Sequence, residues 1–84
     1  MGERYLPVMV GIGFGNSVQV KNIDAVVNPD SAPIKRMIQD ARDMNRLVDA
    51  TQGRKTRSVL VMASGAVVLS ALQPDTIAQR ANNE

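Results

Sequence analysis

The chain has no cysteine, no histidine and no tryptophan, and Tyr5 and Phe14 are its only aromatic residues. Each absence excludes something. Without cysteine there is no disulfide to brace a small fold and no thiol nucleophile. Without histidine there is no side chain whose ordinary pKa suits proton transfer near neutral pH. A structural zinc site is disfavoured on the same grounds, because carboxylates alone seldom build one. The sequence therefore points away from an enzyme, and no cofactor or small-molecule substrate is expected.

A membrane-spanning run is also missing. Residues 58 to 74, SVLVMASGAVVLSALQP, carry no charge, but Ser64-Gly65 interrupts them and Pro74 stops them, and a spanning helix needs about 20 apolar residues. No basic segment followed by an apolar stretch and a small-residue cleavage site opens the chain, so the expected compartment is the bacterial cytoplasm. With 84 residues, one domain over 1–84 is expected, its ends at 1–7 and 82–84 flexible. A chain this short buries only roughly 60 to 65% of the surface its unfolded state exposes.

What remains is a set of short β-branched runs and one helical pattern. VMVGI (8 to 12) and SVQVKNIDAVV (17 to 27) flank GFGN, a turn composition, and predict a hairpin with a bulge near Lys21-Asn22. In NPDSAP (28 to 33), Asp30 or Ser31 can cap a helix and Pro33 fits its first turn. Ile34, Met37, Ile38, Ala41 and Met44 then recur at three- and four-residue spacing, opposite Lys35, Arg36, Gln39, Asp40, Arg42 and Asp43. That spacing predicts an amphipathic helix over about 33–46.

LVDAT, QGRK and TRSVLVMA read as strand, turn and strand, with Gly53 taking the positive φ of the turn. VLVMA and AVVLSA flank Ser64-Gly65 as a further pair, and QPDTIAQR predicts a short helix over about 75–81 capped by Asp75. The expected fold is α+β, a small antiparallel sheet with two helices. Because VLVMA and AVVLSA are apolar at nearly every position, both sheet faces should be buried. One helix covers one face, so a neighbouring copy of the chain is expected on the other.

Three candidate sites emerge. The glycines of GIGFG (Gly11, Gly13, Gly15) suggest an anion cradle, but neither GxGxxG nor GxxxxGK[ST] is present, and a hairpin turn accounts for them better. Asp40 and Asp43 lie on the helix among Arg36 and Arg42, which reads as a solvated ion-pair face and, as a rival function, a scaffold surface for another protein. The third is TQGRKTRS (51 to 58). It sets Arg54, Lys55 and Arg57 within four positions, with no acidic residue between Asp49 and Asp75, on a chain whose net charge is only +2. Placed on a hairpin tip and repeated by symmetry, such a cluster fits nucleic-acid phosphates. The scarcity of aromatic rings favours duplex DNA over single strands, whose binders stack bases.

IGFGN (12 to 16), SAPIKRMIQDARD (31 to 43), DATQGRKTR (49 to 57) and LSALQPDTIAQR (69 to 80) resemble, in order and spacing, the extracellular matrix regulator RemA family. The resemblance implies a small bacterial DNA-binding regulator of transcription, similar to the activator of biofilm-matrix genes. It further implies a ring-shaped homo-octamer with DNA wrapped outside, at the nucleoid in the cytoplasm. It places DNA contacts on Arg54 and Lys55, with Arg57 close behind. Relatives commonly carry a second arginine at Lys55, and one carries a functional arginine at the position aligned with Asn22, where the nearest cation here is Lys21. Lysine keeps the charge but lacks the planar fork of arginine.

Overall fold

The computed structural model describes residues 8–82; the ends expected to be flexible, 1–7 and 82–84, lie outside the described residues except for Asn82, which closes the last helix. The architecture is α+β, with two sheets and two helices. Strands β1 (Met9–Gly13) and β2 (Asn16–Gln19) form an antiparallel hairpin closed by the Gly13-Phe14-Gly15 turn. A single 3₁₀ turn, Val20–Asn22, ends the hairpin and starts β3 (Ile23–Val27). The expected bulge near Lys21-Asn22 is thus a full break, because the chain passes there from one sheet to the other.

Helix α1 (Ala32–Asp43) opens where the Ser31 hydroxyl accepts from the Ile34 amide at 3.3 Å, with Pro33 in the first turn. It stops before the predicted residue 46. Asn45 takes a left-handed conformation (φ 57), the Arg46 amide donates to the Ala41 carbonyl at 2.8 Å, and the Asn45 amide donates to Arg42 at 3.2 Å. This paired closure is the Schellman arrangement, with asparagine where glycine is commoner. Met44 therefore lies past the last turn and is 60% exposed, while Ile34, Met37, Ile38 and Ala41 pack on the sheet.

Strands β4 (Leu47–Asp49), β5 (Ser58–Met62) and β6 (Val67–Ser70) complete the larger sheet, whose order is β3-β5-β6-β4. The expected β5-β6 hairpin through Ser64-Gly65 is present. Two expectations are corrected. First, β4 and β5 are not a hairpin: β6 lies between them, and β4 pairs with β6 in parallel, Leu47 opposite Val67. The reason lies in α1, which leaves β3 at one edge and returns the chain to the other edge in the same direction, as a crossover must. The sheet is mixed, not antiparallel.

Second, no neighbouring copy is needed to fill the second face. Val59, Val67 and Leu69 meet α1, whereas Leu60, Met62 and Val68 meet Ile12 of β1 and Ile77 of α2 (Pro74–Asn82). The β1-β2 hairpin folds back over the sheet and supplies the missing layer from within. Two contacts pin it there: the Ser70 hydroxyl donates to the Ile12 carbonyl at 2.7 Å, and the Arg80 guanidinium donates to Gly11 at 3.1 Å. Helix α2 starts one residue earlier than expected, with Pro74 at its first position, so Asp75 lies in the first turn instead of capping it. Among the described residues no helix is long and apolar enough to cross a membrane.

Candidate nucleic-acid interface

Residues 50 to 57 join β4 to β5 by crossing the C-terminal end of β6. Both ends of this loop are tied to consecutive carbonyls there: Ala50 donates to Leu69 at 3.0 Å and Arg57 to Ser70 at 2.8 Å. The basic cluster therefore sits on a crossover loop straddling a strand end, not on a hairpin tip. Inside it, the Arg54 amide donates to Thr51 at 2.9 Å, and Gln52 (φ 54) and Gly53 (φ 77) are both left-handed. Positive φ at both central positions is the type I′ pattern, and it confirms the turn role expected of Gly53.

The loop is braced at its start. Asp49 Oδ1 accepts from the Thr51 hydroxyl at 2.6 Å and from the Thr51 amide at 2.9 Å. These bonds, the hydroxyl first, hold the Asp49 carboxyl below the ordinary aspartate value, and the charge of Arg42 adds to them. Thr51 itself is buried, so the turn that launches Arg54, Lys55 and Arg57 stands on a fixed base while those three side chains reach solvent.

Across from the loop stands the tip of the β1-β2 hairpin. Phe14 is left-handed (φ 54) between Gly13 and Gly15, both also at positive φ, and the residue is 50% exposed. The Arg54 guanidinium carbon lies 5.8 Å from the ring centroid, a cation–π approach. Between the two tips is an open cleft of about 460 Å³, lined by Gly13, Phe14, Arg54, Lys55, Arg57, Ala71 and Leu72. A smaller cleft of about 80 Å³ continues past Lys55 and Arg57 to Asn28, Asp30 and Gln73.

Sequence spacing missed two features of this site. The cluster has no acidic neighbour along the chain, yet folding brings Asp30 beside it. The two aromatic residues suggested no exposed ring, yet Phe14 is exposed and lines the same cleft as the cations. Forty positions separate Phe14 from Arg54 in sequence, and only the fold-back of the hairpin joins them. The unusual pairing of a bulky residue with flanking glycines in GFG was the available signal.

Lys21 is not part of this cluster. It lies in the 3₁₀ turn whose Asn22 carbonyl accepts from the Ala63 amide at 2.7 Å, so it belongs to the end of the sheet where β5 finishes. Arg54, Lys55 and Arg57 lie at the end where β5 begins, about 13 Å away along that strand. The glycines also resolve as a turn: the Asn16 side chain donates to the Gly13 carbonyl at 3.1 Å, and the Gly11 carbonyl is taken by Arg80.

The family described as "RemA-like: Extracellular matrix regulatory protein A-like" matches residues 9–81. The chain belongs to the RemA-like family. Relatives from Bacillus cytotoxicus, Bacillus mycoides and Bacillus cereus are each 59% identical to it over 84 residues, covering all of this chain and 92% of each relative. Each of the three is named "Putative regulatory protein". The family match begins at Met9 and ends at Ala81, so it takes in both the GFG tip and the basic loop.

Proposed function

We propose that this chain is a transcriptional regulator that binds duplex DNA through Arg54, Lys55 and Arg57, acting in the cytoplasm at the nucleoid. The observation that carries this reading is the convergence of three solvent-exposed cations on one braced loop. Phosphates are the matching ligand, because each one neutralised releases condensed counterions. Family membership and the regulatory names of the relatives support the same assignment. No helix-turn-helix, finger or basic zipper is needed, since loop contacts act mainly on the backbone and read sequence through DNA shape. The scaffold alternative has less support: on the outer face of α1, Gln39 donates to Asp43 and accepts from Arg42, so these two charges are engaged within the helix itself.

The assembly we propose is a ring of copies, an octamer as the resemblance implies, presenting the basic loop repeatedly. The filled second face removes the apolar motive for such assembly. Its support in the fold is narrower: among the described residues β3 and β4 leave their outer edges unpaired, and Val48 on β4 is 52% exposed, an arrangement open to pairing with another chain. Lys21 joins the DNA surface only where a neighbouring protomer brings it there. Fluorescence anisotropy of a labelled duplex, with native mass spectrometry of the free protein, tests both parts. With on the order of eight phosphate contacts per ring, affinity should fall by about 10³ to 10⁵ between 50 and 200 mM salt. Affinity indifferent to salt, or an absence of binding, overturns the DNA reading; a monomer in the mass spectrum overturns the ring.

A further inference from the structure

Phe14 is costly where it stands. A left-handed conformation is strained for an L-residue with a Cβ, and glycine or asparagine would occupy the tip of this turn more cheaply. Burial offsets little of that strain, because the residue is half exposed. Its partner is Arg54, whose guanidinium carbon stands 5.8 Å from the ring centroid, so ring and cation form one surface. Strain that packing does not relieve, held at a cleft rimmed by cations, points to a ligand.

The cleft identifies the chemistry of that ligand. Its lining joins the aromatic ring of Phe14 and the apolar Gly13, Ala71 and Leu72 to three cations, Arg54, Lys55 and Arg57. An aromatic plane bearing phosphate is the complement of such a site, and a nucleotide is that molecule. The space, about 460 Å³, lies within the range of small-ligand pockets. A ring on its own, without a row of others, does not make the continuous stacking platform that single-strand binders use. It does fit an apolar side chain inserted at one step of a duplex, partly unstacking it while neighbouring cations hold the backbone.

Resting on the DNA-binding reading above, we infer that the cleft between the GFG tip and the basic loop receives one unstacked nucleotide of the bound duplex. Its base lies against Phe14, and the flanking phosphates lie on Arg54, Lys55 and Arg57. Phe14 is then the residue that makes binding sensitive to how easily a step opens, favouring flexible pyrimidine–purine steps over stiff tracts.

Phe14→Asn tests this without disturbing the turn, since asparagine tolerates the left-handed conformation. Duplexes carrying 2-aminopurine at successive positions of the bound segment report local unstacking as a rise in fluorescence. Wild type should give that rise at discrete positions, Phe14→Asn should abolish it, and Phe14→Trp should keep duplex affinity near wild type. Phe14→Asn should also weaken duplex binding by about 5- to 150-fold, the range for losing one base–aromatic stack. The inference is overturned if wild type binds the duplex with steep salt dependence but shows no 2-aminopurine response, or if Phe14→Asn binds as tightly as wild type. Free AMP displacing the duplex from wild type but not from Phe14→Asn would assign the cleft to a free nucleotide and overturn it as well. Failure of wild type to bind any duplex is a different result, which removes the DNA reading itself.

Discussion

The two ends of the larger sheet both carry cations, and only one of them looks built to use them. At the end where β5 begins, Arg54, Lys55 and Arg57 share a cleft with the exposed ring of Phe14, and two turns there hold non-glycine residues at positive φ. At the end where β5 finishes, Lys21 sits in a 3₁₀ turn and the Arg46 guanidinium folds against Gly65, within 3.0 Å of where a Cβ would stand. Charge alone is therefore a weak guide to a site. The far end also has the exposed Met44 and the left-handed Asn45, but asparagine tolerates that conformation; the basic end is marked by cations that share a cleft with an exposed phenylalanine held left-handed at a cost.

The sharpest way to break this contrast is charge reversal at one end and then the other. Arg54→Glu combined with Arg57→Glu should reduce duplex affinity by at least about a hundredfold, because it removes phosphate contacts and adds repulsion. Lys21→Glu should change it by less than about threefold, since within one protomer it lies at the opposite end of β5 from the proposed contacts. Equal losses from the two variants, measured by anisotropy, would erase the distinction between the ends.

A smaller effect tests how the hairpin tip is held at the basic end. Ser70 is buried, donates to Ile12 and accepts from the Leu72 amide at 3.1 Å, so Ser70→Ala should cost about 1–3 kcal/mol in urea unfolding. Its cross-strand neighbour Ser58 is equally buried, yet its hydroxyl has no partner among the described residues. Ser58→Ala should therefore be neutral or slightly stabilising, and a cost matching that of Ser70→Ala would refute this difference.

Gly53→Ala should cost about 1–2 kcal/mol from backbone strain alone, because nothing stands within 4 Å of the added Cβ. Gly65→Ala at the other end should cost a similar amount, the Arg46 side chain giving way. The two should part in function: Gly53→Ala should weaken DNA binding by moving Arg54, and Gly65→Ala should leave it unchanged.

The smallest effect is pH-dependent. Hydrogen bonds from Thr51 lower the Asp49 pKa in the folded chain, so the stability they supply is present above the unfolded value of about 3.9 and is lost as pH falls through the folded value. Relative to Asp49→Asn, wild type should be modestly more stable at pH 6, with the gap closing toward pH 2–3. The effect is small because the Asp49 side chain is solvent-exposed. A gap that widens in acid would contradict the assignment.

How much of this was legible in the sequence follows from the range of each interaction. Local signals were read correctly: Ser31 and Pro33 start α1, the apolar spacing gives its buried face, and Gly53 and Gly65 mark turns. What escaped was long-range. LVD is three residues long and carries nothing to say whether β5 or β6 is its neighbour, and the crossover through α1 decides that. The apolar runs of β5 and β6 correctly required two covered faces, but the cover came from Ile12 and Ile77 of the same chain, not from a second copy. Arg54, Lys55 and Arg57 were found because they are contiguous; Phe14 and Asp30 were missed because folding alone brings them to the loop.

The central claim is that the basic end, and not the far end, carries the phosphate contacts. The slope of log affinity against log salt, measured for wild type, Arg57→Ala and Lys21→Ala on one duplex, tests it most directly. Each lost contact flattens the slope by about 0.9. The slope should flatten markedly for Arg57→Ala, by that amount for every copy in contact, and stay at the wild-type value for Lys21→Ala. The reverse order, or three equal slopes, would contradict the account.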